Sequence, residues 1–153
     1  NCNLKRKIHF NLSKDSNLFL CENIIFGRTS MNEKFERGYF SDFWNINIDK
    51  KLIHTEAINT GLFQKKYLNS FSTLNNNSAV ATIIIIGNKF LNNVNNLSET
   101  LTNNENTTSN YSHWDNKLIV RLLSKDSYNL KFAIDKILSY FSEGSKIPRI
   151  WNI

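Results

Sequence analysis

Across residues 4–12 the apolar positions Leu4, Ile8, Phe10 and Leu12 share one parity, while Lys5, Lys7, His9 and Asn11 hold the other. That period of two predicts a half-buried strand. After a polar turn at 13–16, residues 17–26 are more continuously apolar, as expected of a strand covered on both faces, and Gly27 ends it. An irregular stretch follows. Residues 39–48 and 52–58 are aromatic or β-branched runs joined by Asp49-Lys50-Lys51, which predicts a hairpin with a short loop. A further strand is expected over 79–86, bounded by Asn75-Asn76-Asn77 and Gly87. The period then changes, because Phe90, Leu91, Val94, Leu97 and Leu101 recur at helical spacing. The Asn residues among them are poor helix formers, so this helix must depend on packing. Residues 103–110 read as a polar, low-complexity loop, and 117–123 as a strand. A second helix carries the stripe Leu130, Ala133, Ile134, Ile137, Leu138 and Phe141, with Asp126 or Ser127 as N-cap and Gly144 as its stop.

Composition narrows the function classes more than the fold. The 153 residues are 41% hydrophobic and 21% charged, within the range of folded chains, and the 25 Asn look like drift in AT-rich coding sequence. Only five Gly occur, none close enough to another to cradle a phosphate, so a Walker loop and a dinucleotide fingerprint are both excluded. No G-x-S-x-G elbow or H-E-x-x-H helix is present. The longest apolar run, at 79–86, is far short of the roughly 20 residues that span a bilayer, and no membrane partner is expected. With Asn1 first and Met31 the lone methionine, the chain reads as a fragment forming one domain over residues 1–153.

The formal charge of +6 would suit nucleic acid or an acidic protein. Lys5-Arg6-Lys7, Lys50-Lys51 and Lys65-Lys66 are short, separated clusters without interleaved aromatics, which reads as solvated surface. Cys2 and Cys21 lack metal-ligand spacing, and a reduced, cytoplasmic setting is the simpler expectation. His9, His54 and His113 have no Cys or His companion at ligand spacing.

Three segments together resemble the urease accessory protein D family, called UreD or UreH. Residues 22–38, Glu22-Asn-Ile-Ile-Phe-Gly27-Arg28-Thr-Ser-Met-Asn32-Glu33-Lys-Phe-Glu-Arg-Gly38, are similar to its E-x-x-x-x-G-R-x-A/S-x-G-E-x-F-x-x-G pattern. Leu118-Ile-Val-Arg121-Leu-Leu123 resembles a late V-V-R-L-L strand, and Pro148-Arg149-Ile-Trp151 a terminal P-R-x-W. Asn32 stands where the family usually has Gly, a residue type next most tolerant of positive φ. The resemblance runs along nearly the whole chain but covers about the C-terminal half of a usual member. It implies a mainly β, sheet-rich body of β-helical, solenoid-like winding with two α-helices in its C-terminal part. It also implies a non-enzymatic chaperone of metallocentre assembly. Members bind apo-urease and a second, UreF-like accessory protein, and through it a nickel-carrying, UreG-like GTPase. Nickel is then transient cargo, with no tightly bound cofactor. A basic β-rich nucleic-acid-binding module is the alternative from a different class, and it rests on charge alone.

Each candidate residue has a structural reading beside the functional one. Gly27 turns the chain after a buried strand, and Arg28 either pairs with a carboxylate such as Glu33 or contacts a partner. Arg121, sharing parity with Ile119 and Leu123, is expected in a buried or interface ion pair. Arg149 and Trp151 are of types enriched at interface hot spots, with core docking of the tail an equal alternative. Glu22 is the sharpest, because a carboxylate amid Leu18, Phe19, Leu20, Ile24 and Ile25 must be paired, protonated or open to a hydrated passage. It is the candidate on the nickel path, against a structural salt bridge to Arg28 or another Arg. Oxygen ligands hold a late first-row metal briefly, which suits transit.

Overall fold

The computed structural model describes residues 2–28, 31, 33–35, 38–61, 69–92 and 94–142. Among the described residues nine strands are formed: β1 (Cys2–Leu12), β2 (Leu18–Ile25), β3 (Gly27–Arg28), β4 (Glu33–Lys34), β5 (Gly38–Ile48), β6 (Lys51–Asn59), β7 (Ala79–Ile86), β8 (Thr107–Trp114) and β9 (Lys117–Ser124). The α-helices are α1 (Asn88–Leu91), α2 (Leu97–Thr100) and α3 (Ser127–Ser142). The chain is therefore mainly β. It makes a three-stranded sheet ordered β1-β5-β6, a four-stranded sheet ordered β2-β7-β9-β8 and the ribbon β3-β4. Among the described residues no sheet closes on itself. The chain divides into two compact units, one of residues 1–16 and 27–76, the other of 17–26 and 77–153.

In the first unit β1 runs parallel to β5, and β6 returns antiparallel. The predicted hairpin forms, with Asp49 and Lys50 both at positive φ, the geometry that matches strand twist in a two-residue turn. Parity sends Arg6, Ile8 and Phe10 to the same face as Asp42, Trp44 and Ile46, which is the buried one. Phe10 and Trp44 meet edge-on there, ring centroids 6.3 Å apart.

The second unit is built around β7, whose isoleucines are buried on both faces, as its unbroken apolar run requires. On one face Ala81, Ile83 and Ile85 join Leu118, Val120 and Leu122 from β9 beneath the inner stripe of α3. The six residues read as that stripe are the six buried ones of the helix. Asp126 is the cap, its Oδ1 accepting the Asn129 N–H at 2.8 Å, and this bond holds the Asp126 carboxyl below its ordinary pKa.

Two expectations change. The helix over 90–101 breaks into α1, a 3-10 turn Val94–Asn96 and α2, with Leu101 already extended. Its apolar residues still reach the core, so the spacing marked the inward face correctly while the Asn residues could not sustain one helix. The loop over 103–110 is in large part strand β8, closed onto β9 by Asp115 and Asn116 at positive φ. Its outer edge is covered from within. Alternating N–H groups of Thr107, Ser109 and Tyr111 donate to the side-chain oxygens of Asn104 (2.8 Å), Asn103 (2.7 Å) and Asn110 (2.8 Å).

Gly87, at φ 104, ends β7 where a Cβ would run into the Asn17 side chain, whose oxygen accepts the Lys89 N–H at the start of α1. Gly87→Ala is expected to cost about 2 kcal/mol, from strained backbone and displacement of that cap. Thermal melting should fall by several degrees.

Candidate functional site

Glu22 interrupts an apolar strand because it belongs to a polar row that crosses the four-stranded sheet. It lies opposite Thr82 of β7, which lies opposite Arg121 of β9, which in turn lies opposite Asn110 of β8. Directly opposed residues point to the same face, here the one turned away from α3. Thr82 is buried, Glu22 half-buried, and Arg121 and Asn110 exposed. The Arg121 guanidinium Nη1 donates to Thr82 Oγ1 at 3.4 Å. Arg121 is thus an exposed member of a polar row rather than a buried cation.

Chemically the row offers a carboxylate and a hydroxyl, hard oxygen donors, beside a guanidinium. Cys21 adjoins Glu22 but points to the other face, among the core side chains. Burial pushes its thiol up to about 12, with the charges of Glu22 and Asp135 adding to the effect. It therefore stays protonated near neutral pH. Among the described residues no three His, Cys, Asp or Glu gather closely enough to hold a metal ion.

The remaining motif residues are scattered. Gly27, at φ 96, opens β3, and the ribbon places Arg28 directly opposite Glu33, whose side chain is exposed. The backbone thus sets the two expected partners face to face. Gly38, at φ 151, opens β5 opposite Cys2. Asn32, Gly144, Arg149 and Trp151 lie outside the described residues.

The first unit holds a polar grouping that the sequence reading missed. Arg6 Nε and Nη2 donate to Asp42 Oδ1 and Oδ2 at 2.8 and 2.6 Å, the bidentate geometry of a strong charge-assisted pair. Further along the same face His54 Nε2 lies 3.5 Å from Glu56 Oε2. Trp44 Nε1 and His54 Nε2 are both buried without a hydrogen-bond partner among the described residues. The signal was parity: within Lys5-Arg6-Lys7 only Arg6 shares the inward register of Ile8 and Phe10, and Asp42 that of Trp44 and Ile46.

The model of the family described as UreD urease accessory protein matches residues 1–152. A urease accessory protein UreD of Rhizobium leguminosarum bv. viciae is 29% identical over 153 residues, covering 98% of this chain and 54% of the relative. A protein of the same description from Agrobacterium fabrum is 27% identical, with 98% and 51% covered, and one from Dinoroseobacter shibae 27% identical, with 97% and 51%. The chain spans about half the length of the curated relatives it matches. No described helix is long and apolar enough to cross a membrane.

Proposed function

Since the chain belongs to the UreD urease accessory protein family, we propose that it is the C-terminal portion of a urease maturation factor, a non-catalytic scaffold for nickel insertion. The family match along residues 1–152 is the observation that carries this reading. On this proposal the whole protein binds apo-urease and a second accessory protein, through which the nickel-carrying GTPase is recruited, and the β-helical winding belongs to the whole protein. Nucleotide chemistry falls to the GTPase, since this chain has no glycine loop to hold a phosphate.

Within this reading Glu22 serves the passage of nickel. Its carboxylate is half-buried, and the register places the Thr82 hydroxyl of β7 opposite it. Oxygen ligands bind a late first-row cation more weakly than thiolate and imidazole sets do, so the ion is released onward. Glu22→Gln in the full-length protein keeps side-chain size and removes the charge. The expected result is an assembled complex of unchanged melting temperature that activates urease several-fold more slowly. Normal activation with reduced stability would make Glu22 a structural ion-pair residue.

A further inference from the structure

The row that carries Glu22 also carries a counter-charge for it. The neighbouring rows place Leu20, Ile84 and Ile119 on one side and Ile24, Val80 and Leu123 on the other, so Arg121 is the nearest cation that the registers of this sheet offer to the carboxylate. Two strand spacings, about 10 Å, separate their backbones, a gap that extended Glu and Arg side chains bridge between them. Arg121 has a polar neighbour on each flank, Thr82 toward Glu22 and Asn110 away from it. Its guanidinium takes the side of Thr82, donating through Nη1 to Oγ1 at 3.4 Å. A half-buried carboxylate between apolar rows needs such a positive charge to stay ionised when no metal is beside it.

We infer that Arg121 is the release element of the nickel path: its guanidinium stands in for the metal beside Glu22, gives way when the divalent cation arrives, and reclaims the carboxylate as the ion leaves; the inference rests on the reading of Glu22 as a nickel ligand. Two cations then compete for one carboxylate. The bound ion meets either the repulsion of the guanidinium or the cost of displacing it, and both lower its affinity. The displaced side chain has a seat on the far flank, where the Asn110 side-chain oxygen accepts the Tyr111 N–H and keeps a second lone pair. A storage site would gain nothing from a cation in this place.

The test titrates nickel(II) into the full-length protein by calorimetry. Arg121→Gln, which keeps a donor for Thr82 and removes the charge, should bind nickel about tenfold more tightly and activate urease more slowly, because the ion is held. Arg121→Lys keeps the charge and should return both values close to those of the wild type. If Arg121→Gln folds poorly, the wild-type protein decides: its Arg121 Nε–H signal should exchange faster with water when diamagnetic zinc(II) is added, and should not respond in Glu22→Gln. A merely structural arginine would shift the melting temperature and leave nickel affinity alone. Unchanged or weaker nickel binding in Arg121→Gln, or an Arg121 signal indifferent to zinc, would overturn the release element, and loss of binding in Glu22→Gln would leave the nickel path standing. Equal nickel binding by the wild type and Glu22→Gln, or none by either, would remove both.

Discussion

Ile137→Ala should lower the unfolding free energy by about 3 kcal/mol, within the range found for aliphatic truncations at fully buried sites. Ile137 sits in the middle of the inner stripe of α3, completely enclosed with residues of β7 and β9. The cost has two parts, the lost transfer of three heavy atoms from water and the cavity they leave between a helix and a sheet. Faster amide hydrogen exchange in β7 and β9, with exchange in β1 and β5 little changed, would place the damage in the second unit. An effect below 1 kcal/mol would mean that α3 can settle onto the sheet and close the gap.

The other large effect belongs to the first unit. Arg6→Met preserves the aliphatic stem but leaves the Asp42 carboxylate, 3% exposed, short of two charge-assisted hydrogen bonds. Breaking a buried pair from one side costs about 3–5 kcal/mol. Because the Arg6 side chain is itself 37% exposed, solvent screening brings the expectation nearer 2 kcal/mol. Adding Asp42→Asn should recover part of that loss, since a buried amide is less costly than a buried carboxylate without its counter-charge. The double-mutant cycle reads the coupling directly. Coupling near zero would show that the other neighbours of Asp42 hold it unaided.

Periodicity exposed most of this architecture, because the strands and α3 that it located bury apolar side chains at their own repeat. It failed at β8 for a definite reason. The inward residues there include Thr107 and Ser109, buried hydroxyls satisfied by Ser124 Oγ at 3.1 Å and by the Thr102 carbonyl at 2.9 Å. A strand whose inner face is built of hydroxyls gives no hydrophobic alternation to read. The helix over 90–101 failed in the opposite sense, since its apolar spacing was genuine but its Asn residues favour turns. At the site, Glu22 stood out in a single strand, while its row with Thr82 and Arg121 depends on two registers that no local pattern encodes. Arg6 and Asp42 lie 36 residues apart, and a parallel pairing brings them together.

The asparagines along the edge of β8 bear on how the chain ages. Asn103, Asn104 and Asn110 each meet a backbone N–H through the side-chain oxygen, and those contacts make no use of the amide nitrogen. Hydrolytic loss of ammonia from such a side chain, when it yields ordinary aspartate, leaves an oxygen in place to accept the same proton. The new negative charge at this edge would even strengthen that bond. Conversion of these three positions to ordinary aspartate therefore preserves the cover on the strand, whereas replacement by alanine would bare it to pairing with a neighbouring chain.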